Sequence, residues 1–380
     1  MLRAGGKTPV REALLETRTR TLELADAYAR ALGAGAMRVT YSPDVNPPLW
    51  ELGHLAWFQE VWIGRNLQRA LGVRCDPGHG RAPSLLEHSD AWYDSSRVEH
   101  RTRWSLLLPD AQGTRAYLAA TLEQTLALLD ELPPAAGHDA LYFYRLVALH
   151  EAMHAEAATY MARSLGVELP PRASVSGPAG GAPAVLAVPA QKIRLGADGD
   201  GFAFDNELHA HEVALASFDI DAQPVSWVRF DEFVAADGYG QRRWWTDAGW
   251  QWLRQSGRPQ RQVPASAVDA SAVHLTAHEA EAWCRWAGRR LPTEAEWECA
   301  ALTEPGFSWG RVWEWTASPF QPYPGFSPHP YRDYSAPWFH TRRVLRGACE
   351  ATSLWLAHPR YRNFFEPHRS DIFAGFRSCA

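Results

Sequence analysis

The sequence predicts an α+β protein of two domains, a four-helix bundle followed by a loop-rich α+β unit. Three observations carry this reading. Long segments of helical apolar periodicity fill residues 1–168, a Pro- and Gly-rich stretch interrupts them over 169–188, and short alternating runs between Gly and Asp clusters dominate 189–380. A chain of 380 residues is long enough for two cores of ordinary size.

The elements follow in order. Leu14, Leu15, Leu22, Ala25, Tyr28, Ala29 and Leu32 recur at helical spacing and predict a first amphipathic helix over 11–32. Asn46-Pro47-Pro48 marks a turn into a second helix, with proline tolerated in its first positions. On that helix Trp50, Trp57, Phe58 and Val61 stand at −4, +3, +4 and +7 from His54, which places His54 on the buried face. Residues 73–110 read as a long connection with a short helix near 84–92. A third helix is expected over 112–132, ended by Pro133-Pro134, and a fourth over 140–165. Beyond the linker, 192–195 and 213–215 alternate as strands do, and a helix is expected over 277–288.

Composition narrows the function. A net charge of −5 without a Lys/Arg run gives no footprint for nucleic acid, and no stretch has the apolar length of a membrane span. The first 29 residues mix charges and lack the apolar core of a signal peptide. Five scattered cysteines with no Cys-x-x-Cys pair fit a reducing cytoplasm. Eighteen tryptophans can wall a rigid pocket and hold a cation, or simply fill a small core.

The fourth helix carries His150-Glu151-Ala152-Met153-His154. Two imidazoles four residues apart share a helix face and can grip one metal ion. The same pair also reads as two hydrogen-bonded core histidines, or as the His-Glu-x-x-His signature of a zinc peptidase with Glu151 as general base.

Longer segments in the second half resolve into a pattern. Residues 275–288 lead into Arg290-Leu291-Pro292-Thr293-Glu294, followed by Val312-Trp313-Glu314-Trp315-Thr316, Val344-Leu345-Arg346-Gly347 and Phe373-Ala374-Gly375-Phe376-Arg377. Together they resemble the formylglycine-generating-enzyme/sulfatase-modifying domain, which implies a C-type-lectin-like α+β fold for 189–380. Joined to a DinB-like bundle, the whole chain resembles the ergothioneine synthase family of mononuclear non-heme iron enzymes, most closely its selenoneine synthase branch. The resemblance implies that His54, His150 and His154 hold Fe(II), that O2 is a co-substrate, and that hercynine is joined at its imidazole C2 to sulfur or selenium. Three imidazoles suit Fe(II) and leave positions open on an octahedral ion. Glu151 is then expected behind a ligand imidazole, orienting it.

By the same resemblance, the segment Tyr361-Arg362-Asn363-Phe364-Phe365-Glu366-Pro367-His368-Arg369 is expected to bind substrate through Asn363, Phe364, Phe365 and Arg369, with Met153 beside the second helix histidine. Tyr323 matches the position of the catalytic tyrosine. Phe365 replaces the aspartate that pairs with the amino group of γ-glutamylcysteine, which favours a neutral selenosugar as donor; γ-glutamylcysteine or cysteine is the alternative. Arg81, Arg97 and Arg369 remain available for a carboxylate. A lectin-like binding protein with a purely structural bundle is the expectation from a different class.

Overall fold

The computed structural model describes all residues except 1, 34, 36, 171–183, 258 and 260–267. Most of the expected 169–188 linker lies outside the described residues.

Four helices form the bundle: α1 (Lys7–Leu32), α2 (Pro48–Gln59), α4 (Ala111–Glu131) and α5 (His138–Ser164), with a short α3 (Ser89–Tyr93) in the connection between α2 and α4. Each long helix appears where its periodicity places it. Pro48 opens α2 at a position where no intrahelical N–H is needed, and Asp110 caps α4 by accepting from Gly113 N at 2.8 Å. α1 packs along α5 and α2 along α4, so the apolar faces share one core. α2 is buried along its whole length. A wide helical turn at Glu60–Gly64 extends it and carries Trp62 against Phe143 of α5, with ring centroids 5.2 Å apart.

The second half combines small sheets and short helices. β1 (Val185–Val188) pairs with β4 (Phe218–Asp221), and β2 (Gln191–Leu195) with β3 (His211–Leu215), both antiparallel. Helices α6 (Trp227–Ala235), α7 (Asp247–Ser256), α8 (Ala277–Trp286) and α9 (Glu294–Thr303) follow. A four-stranded sheet then runs in the order β7 (Asn363–Phe365), β6 (Arg343–Gly347), β5 (Trp313–Pro319), β8 (Ala374–Gly375). Thr276 with Glu279 and Thr293 with Glu296 form reciprocal capping boxes that fix where α8 and α9 begin. Helices α6, α7 and α9 go beyond the sequence reading, because each spans only nine or ten residues, too few for periodicity alone to separate it from loop. No described helix is long and apolar enough to cross a membrane.

The halves are pinned together by buried polar contacts. Glu156 of α5 accepts from Trp313 Nε1 at 2.6 Å and Thr352 Oγ1 at 2.5 Å, and Tyr142 bonds His329 at 3.0 Å. Ahead of α1, Arg3 pairs with Glu207, whose carboxylate is fully buried. These contacts set the wall of one half against the ligand-bearing face of the other.

Candidate metal centre

His54 of α2 and His150 and His154 of α5 meet at the core of the bundle, with one ring nitrogen of each within 4.8 Å of the others. The helix periods bring them there, and packing then fixes each ring. Trp50 stacks on His54 at 5.0 Å and Trp57 at 5.7 Å, the contacts expected from offsets of −4 and +3. Phe58 lies parallel to His150 at 3.5 Å. His54 Nδ1 is 2.8 Å from the Tyr93 carbonyl, and His154 Nδ1 is 2.5 Å from Glu51 Oε2. Both therefore have Nε2 left to converge on an ion.

Gly53 is part of this arrangement. A Cβ there would lie 2.2 Å from the Tyr93 ring, whose backbone carbonyl holds His54, so a side chain at 53 would push away the group that orients its neighbour.

Burial makes the rings good ligands. It lowers His54 to about 3, with the neighbouring His154 acting in the same direction, and it holds His150 well below the ordinary histidine range. Both are neutral at pH 7. Burial pushes the Glu51 carboxyl upward, but the charge and hydrogen bond of His154 outweigh it and bring the group to about 2. Asn46 Nδ2 donates to the other Glu51 oxygen at 2.5 Å. Three imidazoles, two of them fixed through their far nitrogen, fit a divalent transition ion.

The carboxylate behind the triad is thus Glu51, and the expectation for Glu151 is corrected. Glu151 follows His150 by one residue, about 100° around the helix, and faces α1. There it holds Arg18 through two bonds of 2.7 and 3.1 Å, while Arg18 also donates to Gln59 at 2.6 Å. An ion-paired glutamate turned away from the triad also removes the general base that a zinc peptidase needs. Glu51 stands three residues before His54 on the same helix face, a spacing that could have identified it.

The triad opens onto a cavity of about 680 Å³ lined by both halves. His150, Met153 and His154 contribute from α5; Trp313, Tyr331, Tyr334, Tyr361, Asn363, Phe364 and Phe365 come from the second half. Tyr361 donates to Met153 Sδ at 3.2 Å, which gives the methionine a defined polar neighbour. Phe364 mainly stacks on Phe320, at 4.1 Å, while Phe365 remains a wall residue. Asn363 accepts from Phe364 N through its own side chain.

Two expected site residues are placed elsewhere. Tyr323 is buried over Arg362 and donates to Glu294 at 3.0 Å, away from the cavity lining. Arg369 is held by Asp371 through bonds of 2.6 and 2.5 Å and does not line the cavity. The tyrosine beside the triad is Tyr331, 6.0 Å from His150 and 4.9 Å from Phe58 by ring centroids. Burial raises its phenol well above the ordinary value, so it stays protonated. Arg103, unassigned by sequence, also lines the cavity. Its guanidinium lies 3.9 Å over Trp50 and donates to Asn46, and its Nε is buried without an acceptor.

Comparison with known proteins adds the lineage. Residues 13–158 match the DinB superfamily and 172–311 the sulfatase-modifying factor enzyme 1-like domain, in agreement with the helical and α+β halves. Hercynine oxygenase of Mycolicibacterium thermoresistibile is 31% identical over 96% of this chain and 93% of its own. Hercynine oxygenase of Mycolicibacterium smegmatis is 31% identical over 89% and 91%. The formylglycine-generating enzyme of Streptomyces coelicolor is 27% identical over 51% of this chain and 87% of its own. With near-complete coverage of both chains at this identity, and both family matches in the same order, the chain belongs to the hercynine oxygenase family.

Proposed function

We propose that this protein joins a chalcogen donor to the imidazole C2 of hercynine, using O2 and an Fe(II) ion held by His54, His150 and His154. The observation that carries the reading is the convergence of three imidazoles, two of which line a cavity with an aromatic wall. When bound, the iron supplies the redox chemistry that activates O2. With a thiol donor the balance closes on a sulfoxide: the ring C–H and the S–H are lost, one oxygen atom goes to sulfur and the other leaves as water.

The protein's own groups have distinct tasks. Trp313, Tyr331, Tyr334 and Phe365 offer aromatic faces to a trimethylammonium group. Arg103, with no carboxylate bonded to it among the described residues, suits a substrate carboxylate. Tyr331 Oη holds a proton beside the triad that it can give to a reduced oxygen atom. Asn363 and Met153 shape the wall between hercynine and the second half.

The relatives, hercynine oxygenases, favour the sulfur reaction over the selenosugar reaction. Phe365 is the observation that keeps the neutral selenosugar as the second reading. The test is anaerobic reconstitution with Fe(II), then O2 and hercynine with γ-glutamylcysteine, cysteine and selenosugar in competition, read by mass spectrometry. A sulfoxide adduct that is lost in His150→Ala is expected. A seleno-adduct as the dominant product reverses the donor choice, and no adduct from any donor refutes the reading.

A further inference from the structure

Tyr331 reaches the triad from a loop, residues 329–335, that contains neither helix nor strand. Its ring meets Phe58 edge-on at 4.9 Å and stands 6.0 Å from His150, and its side chain forms no hydrogen bond among the described residues. An edge contact is too weak to fix a hydroxyl by itself, so the place of Tyr331 depends on what holds the loop. Tyr334 is held independently, because Phe204 stacks on it at 4.4 Å and its hydroxyl donates to Tyr361 at 3.1 Å.

One carboxylate closes the loop at both ends. Asp205 Oδ1 accepts from Ser335 Oγ at 2.5 Å, and Oδ2 accepts from His329 N at 3.4 Å. The two oxygens of a carboxylate are adjacent, so positions 329 and 335 are drawn together and the residues between them project as a compact Ω-type loop. Tyr331, Asp333 and Tyr334 thereby line the cavity, which Asp205 itself does not reach. Asp205 is 2% exposed and Ser335 is fully buried. Burial raises the Asp205 carboxyl to about 6, so it is ionised at pH 7, the form in which both oxygens accept. The first end of the loop is also referenced to the ligand helix. His329 Nδ1 bonds the hydroxyl of Tyr142 at 3.0 Å, and Tyr142 lies on α5 ahead of His150 and His154.

We propose that Asp205 is a positioning residue for the reaction: by clasping His329 and Ser335 together it holds the Tyr331 hydroxyl beside the three histidines. This rests on the role given to Tyr331 above. A displacement of about 1 Å in a reacting group costs up to about 100-fold in rate, so a clasp remote from the substrates can govern turnover without touching them. Asparagine at 205 can accept from Ser335 but turns an N–H toward His329 N, and alanine at 335 opens the other end while leaving the acid in place.

The experiment has two arms. In the first, hydrogen–deuterium exchange of the metal-free protein compares wild type, Asp205→Asn and Ser335→Ala. The amides of 329–335 should exchange about tenfold faster or more in both variants, with those of α2 and α5 unchanged. In the second, Fe(II)-loaded enzyme is assayed for product formation and for hercynine binding, with Tyr331→Phe and the Asp205→Asn/Tyr331→Phe double variant included. Asp205→Asn should lower kcat about tenfold or more and leave the hercynine Kd within about twofold, and the double variant should be no slower than Tyr331→Phe alone within about twofold. Losses that multiply in the double variant overturn the action through Tyr331. Loop exchange unaltered in both variants overturns the clasp. Faster loop exchange in a protein whose wild type turns over no donor supports the clasp and fails the hercynine reading alone.

Discussion

Two glutamates near the triad make opposite predictions, and exchanging each for glutamine separates metal support from fold support. Glu51 Oε2 lies 2.5 Å from His154 Nδ1, and its other oxygen accepts from Asn46. Replacing the carboxylate with an amide keeps the shape but removes the charge that fixes the ring and raises its basicity. Losses of this kind weaken metal binding about 10- to 100-fold, equivalent to about 1.4–2.7 kcal/mol. Glu151, 4% exposed, instead holds Arg18, which is 3% exposed, through two bonds. Removing one partner of such a buried pair leaves an uncompensated charge and costs about 3–5 kcal/mol of stability. The assay is a competition titration with Fe(II) or Co(II), paired with thermal unfolding of the apoprotein. Glu51→Gln should lose metal affinity with a small change in Tm, and Glu151→Gln should lose Tm and keep its metal affinity once folded. The reverse pattern would falsify the placement of Glu51 behind the triad.

Other expectations follow from the same geometry. Tyr331→Phe should lower product formation at least tenfold while leaving hercynine affinity nearly unchanged. Tyr323→Phe should lose about 1–2 kcal/mol of stability, with its bond to Glu294, and keep activity; rapid-quench product analysis beside thermal unfolding distinguishes the two. Arg103→Met should raise the KM of the carboxylate-bearing substrate about tenfold or more, and an unchanged KM for both hercynine and donor would remove Arg103 from the site. Asp205, buried and bonded to Ser335, is raised by that burial from an ordinary 3.8 to about 6. The native state then binds this proton more tightly than the unfolded chain. Its contribution is present below about pH 4 and lost as pH rises to about 6, on the order of 3 kcal/mol. Asp205→Asn does not ionise, so its Tm relative to wild type should climb across that window and level off above it; a difference independent of pH would contradict the assignment.

The triad was legible because each histidine lies on a helix whose apolar period fixes its face. His54 is framed by Trp50, Trp57 and Phe58 at offsets that the structure converts directly into ring contacts. Adjacency in sequence misled in the case of Glu151, because one residue along a helix is a different face. Glu51 carried the correct spacing but no motif to draw attention to it. Tyr331 comes from a turn and Arg103 from a five-residue 3-10 helix, His100–Trp104, too short for a period to link residue number to direction. Their positions depend on long-range contacts such as Phe58 with Tyr331 and Arg103 with Trp50. Arg81 was noted as a spare cation, and the structure sets its guanidinium over the Trp62 ring.

The bond from Glu156 to Trp313 and Thr352 has a consequence for how such proteins diversify. The bundle brings the three imidazoles, and most of the surrounding aromatic wall comes from the other half. Substitutions in the wall can retune which molecule is accepted while the ligand helices stay as they are. The seam restricts that freedom at very few positions, because a transplanted second half must still present an indole N–H and a hydroxyl to the same carboxylate. Chimeras that respect those two donors should inherit the selectivity of the half they received, and chimeras that lack them should come apart at the seam before selectivity is ever tested.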